Sequence, residues 1–153
     1  MILDFRKNKP ASDPVIINNE AVGCVDEFKY LGTTISSTLT WASHVESVVK
    51  KCNSRLHFLR KLRQFRVNQS ILTMFYRSSI ESILTFNFFT WFSACNADDI
   101  YSLGRIVRQA ERIIDTDLPA IENPFETRTC RKVMRVVGDE THPLHERFER
   151  LPS

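Results

Sequence analysis

The sequence predicts a mainly α fold, in which a short N-terminal β-hairpin or meander is followed by a bundle of four to five helices. Apolar residues from position 41 onward recur at spacings of three, four and seven, the period of a helix with one buried face. Only four glycines occur in 153 residues, too few for an architecture built on glycine-rich turns. The 42% apolar and 25% charged residues are typical of a folded chain.

The N-terminal region predicts an arm followed by short strands. Residues 1–14 combine Lys, Pro, Ser and Asp without a period, and we predict a flexible arm there. Val15-Ile16-Ile17 favours a strand, and Asn18-Asn19 suits the tight turn after it. Residues 20–25 and 28–35 favour further strands, so the predicted β-hairpin spans residues 15–35. Such a small sheet is marginal alone, so we expect a helix to cover it.

The first helix is predicted to run from an N-cap at Thr40 to the region of Val67. Its apolar stripe consists of Trp41, Val45, Val48, Val49, Cys52, Leu56, Leu59 and Leu62. Tyr30 and Trp41 are aromatic residues that either stack on bases or fill the junction between hairpin and helix. Because both lie beside apolar residues, we expect burial at that junction.

Three further helices follow in the prediction. Asn68 caps a second helix that runs to about Trp91 and is apolar on more than one face, so its span 71–91 is a possible surface for a protein partner. Asn96 caps a third helix, whose first turn carries two carboxylates and which Pro119 breaks. Asn123-Pro124 opens a fourth helix through Val137, ended by Gly138, and a short last helix starts at Pro143.

The chain is predicted to form a single mostly helical domain over residues 15–153, with helices from about 41 to 151. The uncharged run 82–95 is shorter than the roughly 20 residues that a membrane-spanning helix needs, so we expect no membrane contact. Charged residues interrupt the N-terminus, which argues against a signal peptide. Four widely spaced cysteines without a C-x-x-C pair are typical of free thiols in the cytoplasm or nucleus.

The strongest functional signal is a basic stretch without any acidic residue. It contains Lys50, Lys51, Arg55, Arg60, Lys61, Arg63 and Arg66. The rest of the chain contains the other 14 of the 21 basic residues and all 18 acidic residues, so it carries a net charge of −4. A solvated helix face normally mixes both signs. We therefore predict contacts with nucleic-acid phosphates, and leave open a protein-binding helix or a purely solvated face.

Several pairs of residues resemble catalytic or metal sites, but their context favours other roles. Asp98-Asp99 resembles the paired carboxylates of polymerases, yet it opens a predicted helix, where capping explains it. His44 and Glu46 lie about 200° apart around a helix and cannot chelate one ion, so a solvated helix start is expected. His142 and His145 lack a third ligand, which favours a capping or core role. We predict no catalytic, cofactor-binding or metal-binding residue.

A series of short blocks in a fixed order carries a family resemblance. The blocks are Phe28-Lys29-Tyr30-Leu31-Gly32, Trp41, Leu56 to Arg63, Phe75-Tyr76-Arg77, Ile80 to Leu84, Trp91, Ile106-Val107-Arg108, His142-Pro143-Leu144-His145 and Leu151-Pro152-Ser153. This order resembles the region after the catalytic core in reverse transcriptases of non-LTR (LINE-type) retrotransposons. The resemblance implies a thumb and connector that grips RNA or an RNA–DNA hybrid. The catalytic aspartates of that family are missing here, which implies a non-catalytic fragment whose Met1 is internal to a longer frame.

A central segment, from about Val67 to Asp99, is also similar to the helical module at the N-terminus of AlkB homologue eight. That tRNA-modifying protein pairs a 2-oxoglutarate-dependent dioxygenase with a methyltransferase. The sequence lacks the dioxygenase ligands and any glycine-rich cofactor loop. The resemblance therefore implies a helical RNA-associated module without the enzymatic activities. A functionless expressed fragment is the third interpretation.

Overall fold

The computed structural model describes Met1 and residues 15–148 and confirms a mainly α fold behind short N-terminal hairpins. The predicted arm and the tail block 151–153 lie outside the described residues, Met1 excepted. The strands are β1 (Ile16–Ile17), β2 (Glu20–Ala21), β3 (Glu27–Tyr30) and β4 (Thr33–Ser36). The helices are α1 (Ala42–Gln64), α2 (Gln69–Tyr76), α3 (Ser82–Leu84), α4 (Phe88–Trp91), α5 (Ala97–Ile114) and α6 (Glu122–Gly138).

Two antiparallel hairpins make up the β region. The turn between β1 and β2 is Asn18-Asn19, as predicted, and both residues adopt positive φ (50° and 62°). The predicted single strand over 28–35 is wrong, because Leu31-Gly32 forms a turn between β3 and β4. Gly32 has φ +84°, and a Cβ there would lie 3.1 Å from the Phe86 ring, so a side chain would be both strained and crowded.

The start of α1 differs from the prediction. Trp41 precedes its first residue, and Trp41 O accepts the hydrogen bond from Val45 N at 2.9 Å. Thr40 is not the cap, because its Oγ1 is hydrogen-bonded to Ser36 Oγ and Thr38 Oγ1 at 3.2 and 3.0 Å. Its backbone N–H also donates to Ser36 Oγ at 2.9 Å, which closes the loop that leaves β4. Trp41 is buried, as expected, whereas Tyr30 is 58% exposed and the prediction of its burial is wrong.

The predicted helix from Asn68 to Trp91 is capped by Asn68, whose Oδ1 accepts from Ser70 N at 3.0 Å, but it is not continuous. A π-helical segment, Arg77–Glu81, joins α2 to the single turn of α3. The chain then breaks at Asn87, which has φ +52°, before α4 and a 3₁₀ turn over Phe92–Ala94. The segment predicted as one helix therefore consists of two helical stretches separated at Asn87.

The C-terminal helices partly follow the prediction. Asn96 caps α5, and α5 ends at Ile114, where Asp115 adopts φ +63°, before Pro119. The predicted cap at Asn123 is wrong, because Asn123 lies inside α6, which begins at Glu122 and ends at Gly138. In place of a last helix from Pro143, a 3₁₀ turn covers His145–Arg147.

One hydrophobic cluster joins these helices. It is formed by the buried stripe of α1, by α2 to α4 and by the inner face of α5. Its fully buried large side chains include Leu56, Leu59, Leu72, Phe88, Trp91, Leu103, Ile106 and Ile114. Helix α1 lies along α5, and β4 packs on α1. The outer side of α1 therefore remains exposed along its whole length.

Candidate nucleic-acid interface

All seven predicted basic residues are exposed. Six lie on α1, whereas Arg66 follows its end with φ +54°. From Ser47 to Gln64 the helix carries no acidic residue. The exposed surface of α1 is consequently positive from Lys50 to Arg63, about four turns of helix.

The helix geometry divides these residues into two flanks and a central ridge. At about 100° per residue, Lys50 and Lys61 lie within about 20° of each other and about 16 Å apart along the axis. They form the ridge opposite the buried stripe. Lys51 and Arg60 are about 180° apart around the axis, so they cannot contact the same phosphate.

Lys51 lies on the flank that faces the hairpin. It lines a cavity of about 330 Å³ together with Gly32, His44, Val48 and Phe86, among others. Arg55 lies about 40° further around the helix and is exposed on the same side. This flank combines the apolar lining of the cavity with two positive charges.

Arg60 lies on the other flank, where α1 meets α5. It lines an open cleft of about 500 Å³ together with Arg105, Arg108 and Arg112 of α5. One guanidinium nitrogen of Arg60 donates to Gln109 Oε1 at 2.9 Å, which ties the two helices together. The fold therefore adds three arginines to the predicted basic surface, and we call this site the α1–α5 cleft.

A further basic cluster lies on α6 and was missed by the sequence analysis. Arg128, Arg131, Lys132 and Arg135 follow one face of the helix and line a depression beside Phe89. Lys132 Nζ lies 4.5 Å from the centre of the Phe89 ring, a cation–π contact. The spacing of three and four residues was the available signal in both α5 and α6. In α5 a charge count along the segment obscures the cluster, because Glu111 lies between Arg108 and Arg112; in α6 no acidic residue lies between Arg128 and Arg135, so that cluster was visible in the sequence.

His44 is buried, so the expectation of a solvated helix start is wrong for this residue. Its Nδ1 accepts a hydrogen bond from Thr34 N at 3.2 Å, and its ring lies edge to face with Trp91 at 5.0 Å between centroids. Within the described residues its Nε2 has no hydrogen-bond partner. Burial, helped by the positive charge of Lys51, lowers the pKa of His44 below its ordinary value of 6.5.

The pair Asp98-Asp99 lies in the first turn of α5, and the capping explanation is confirmed. Asn96 Oδ1 accepts from Asp99 N at 2.7 Å, and Asp99 Oδ2 accepts in return from Asn96 N at 3.4 Å. This reciprocal pair is a capping box. The Asp99 carboxylate is thereby engaged by its own helix.

The two C-terminal histidines make local hydrogen bonds. His142 Nδ1 accepts from Leu144 N at 3.1 Å, and His145 Nδ1 lies 3.1 Å from Val136 O, to which it donates. Neither ring caps the 3₁₀ turn and both are only half-buried, so the expected capping or core role is not confirmed. Over residues 15–148, no three metal-ligating side chains come together.

The four cysteines all lie in the described part of the chain and are free thiols. Cys24 and Cys130 are exposed, whereas Cys52 is fully buried. Burial raises the pKa of Cys52 to about 12 and that of Cys95 to about 11. Neither of these two thiols has the depressed pKa that a nucleophilic cysteine requires.

None of the described helices is long and apolar enough to cross a bilayer.

One comparison with known proteins gives a match within the basic region. The sequence model of the family described as alkylated DNA repair protein alkB homolog 8, N-terminal, matches residues 41–82. Comparisons with curated proteins and with solved structures found no match. The matched segment comprises α1, α2, the π-helical segment and the first residue of α3. It contains all seven predicted basic residues.

The match differs in position from the predicted similarity at Val67 to Asp99, and the two overlap over residues 67–82. It covers 42 of 153 residues, so it describes this helical segment and not the whole chain. The comparisons provide no support for the resemblance to reverse transcriptases, which stays a prediction.

Proposed function

We propose that this chain is a non-catalytic helical module that binds RNA phosphates through the basic surface of α1. The observation that carries the proposal is the exposure of all seven basic side chains in a stretch without acidic residues. Each cation that neutralises a phosphate releases condensed counterions, which favours binding independently of sequence. The same residues lie in the segment that is similar to the N-terminal module of alkB homologue eight.

More specifically, the proposed module binds RNA in the context of RNA modification but does not catalyse the modification itself. The matched family is named for a protein that repairs alkylated DNA. The resemblance extends this to tRNA, and RNA or an RNA–DNA hybrid is therefore the proposed partner. A cytoplasmic or nuclear location belongs to the same proposal, since such partners occur there.

Two further assignments stay open beside it. A thumb-like remnant of a LINE-type reverse transcriptase would use the same phosphate contacts, and only the sequence resemblance favours it. A protein partner could bind the region 71–91, where Ile71, Met74, Phe86 and Phe89 are exposed. Neither assignment requires a catalytic group in this chain.

The test of the proposal is charge reversal on the ridge. Lys50→Glu with Lys61→Glu removes two exposed charges that contact no part of the core. We expect affinity for single-stranded RNA at low salt to fall about tenfold or more. The log–log salt slope should become shallower by about 1.4, because each phosphate contact contributes about 0.7. Fluorescence anisotropy of a labelled strand measures both quantities.

The matched control carries the same change in net charge elsewhere. Lys29→Glu with Arg147→Glu alters two exposed residues in β3 and in the last 3₁₀ turn. It should retain affinity within about threefold, as expected for a small change in long-range attraction. Equal losses in both double variants, with both folded by circular dichroism, would show that only net charge matters.

A further inference from the structure

We propose that the α1–α5 cleft binds the terminal phosphate of a nucleic-acid strand, with Tyr101 stacking on the adjoining base. This inference rests on the proposed function and adds to it a specific strand end. It starts from Arg105, Arg108 and Arg112, which are three and four residues apart and so share one face of α5. Arg60 reaches the same cleft from α1.

The charges in the cleft have no acidic partner among its lining residues in the described chain. Glu111 lies between two of the arginines in sequence, and its Oε1 accepts from Leu118 N at 3.1 Å. It lines the neighbouring depression, which shares Tyr101 and Arg108 with the cleft, and not the cleft itself. Gln109 is engaged by Arg60. Four guanidinium groups thus converge with mutual repulsion, which a bound anion relieves.

The cleft chemistry favours a terminal phosphate over an internal one. A phosphomonoester carries a charge of about −1.5 to −2 and three strong acceptor oxygens, whereas an internal diester carries one charge. Guanidinium groups bind such oxygens in a bidentate manner. The volume of about 500 Å³ lies within the roughly 300–1,000 Å³ of ligand pockets, so it can hold a phosphate and part of a nucleoside.

Tyr101 supplies the surface for the base. Its ring lines the cleft and is 62% exposed. Arg108 Cζ lies 5.2 Å from the ring centroid, and the guanidinium lies beside Gly104. The cation–π contact holds one part of the ring, and the exposed remainder is available for base stacking.

The experiment compares two RNA strands of the same sequence, labelled at one end and either phosphorylated or unmodified at the other. Separate pairs carry the phosphate at the 5′ or the 3′ end. We expect the intact chain to bind either the 5′- or the 3′-phosphorylated strand about tenfold more tightly than its unmodified counterpart. This is the gain expected from one additional charge-assisted hydrogen bond. Arg105→Lys, Arg108→Lys and Arg112→Lys together should reduce this preference below about twofold, because the charge remains but the bidentate geometry is lost.

Two controls test whether the base next to the terminal phosphate contributes to binding in the cleft. Tyr101→Ala should weaken binding of the preferred strand about fivefold or more, whereas Tyr101→Phe should retain it. Inorganic phosphate at matched ionic strength should compete weakly, since it lacks the base. Complete displacement by inorganic phosphate would indicate a free-phosphate site and overturn the strand-end inference.

The outcomes also distinguish this inference from the proposed function. Equal affinity for phosphorylated and unmodified strands would refute the terminal-phosphate site, while the Lys50→Glu, Lys61→Glu variant could still lose binding and leave the RNA-binding function intact. If the folded chain binds neither strand at low salt, both proposals fail. If the lysine triple variant keeps the full preference, the α5 arginines do not recognise the terminal phosphate.

Discussion

At the scale of single residues, the spacing of His44 and Glu46 predicted part of the role of His44 but not its burial. The spacing of His44 and Glu46 was enough to argue against a shared metal ion, since the two residues point in different directions on a helix. Its burial could not be predicted, because it depends on a hydrogen bond from Thr34 in β4 and on packing against Trp91. Both contacts come from parts of the chain that only the fold brings together.

The lowered pKa of His44 predicts loss of stability in mild acid. Burial favours the neutral ring, so the unfolded chain binds the proton more readily than the folded one. The contribution to stability is complete above the ordinary pKa of 6.5 and is lost as pH falls through the lower folded pKa. Denaturant unfolding between pH 5 and pH 7.5 should show this decline, at most about 1.4 kcal/mol per pH unit for one proton.

The matched variant for this prediction is His44→Asn. An asparagine Oδ1 can accept the Thr34 N–H in place of Nδ1 but does not titrate. The variant will be less stable overall, yet its stability should change less between pH 5 and pH 7.5 than that of the unmodified chain. Identical pH profiles for the two proteins would show that His44 is not the responsible group.

Capping residues show which local signals are reliable. Asn68 and Asn96 were predicted as caps and both accept backbone N–H groups of their own helices. Thr40 and Asn123 are also residue types that favour the N-cap position, but neither caps a helix here. Thr40 is engaged by Ser36 in the loop after β4, and Asn123 falls within the first turn of α6. Thr40 fails because of a competing partner, and Asn123 fails because α6 begins one residue before it.

At the scale of elements, the segment from Asn68 to Trp91 is the clearest failure of periodicity. Its apolar pattern continues through the break and contains neither Gly nor Pro, so the sequence predicts one helix. The break is stabilised by tertiary contacts. Trp91 Nε1 donates to Phe86 O at 3.0 Å, and Asn87 Nδ2 donates to Thr33 Oγ1 at 3.0 Å.

Asn87 offers a test of this explanation. Asn87→Ala replaces a residue type that tolerates φ +52° with one that tolerates it less well, and removes the bond to Thr33, so the free energy of unfolding should fall by about 2 kcal/mol. Asn87→Gly loses the same bond but tolerates positive φ, and should be destabilised less, by about 1 kcal/mol. Chemical denaturation measures both values. Equal destabilisation would mean that the backbone conformation at this position stores no strain.

At the scale of the whole molecule, the charge distribution explains why the site was only half predicted. The α1 residues were found because they are contiguous and unmixed with acids. The α5 and α6 clusters were missed because each has only three or four basic residues, with Glu111 inside the first cluster and Glu126 beside the second. Only the packing of α1 along α5 places Arg60 beside Arg105, Arg108 and Arg112.

The same packing defines a route for a bound strand. The ridge residues Lys50 and Lys61 lie about 80–100° around α1 from Arg60, so the ridge and the α1–α5 cleft are adjacent. Lys51 and Arg55 lie beyond the ridge on the hairpin flank. One strand without a terminal phosphate can therefore follow the ridge and enter the cleft, where its internal phosphates meet about six basic side chains. Simultaneous contact with both flanks is excluded by the helix.

The most direct test of the central claim is the salt dependence of RNA binding by the unmodified chain. Fluorescence anisotropy with a labelled single-stranded RNA, titrated from low to high salt, should show submicromolar affinity at low salt. About six phosphate contacts predict a log–log slope of about −4. A sample that is folded by circular dichroism but does not bind at low salt, or binds with a slope near zero, would contradict the assignment of this surface to nucleic acid.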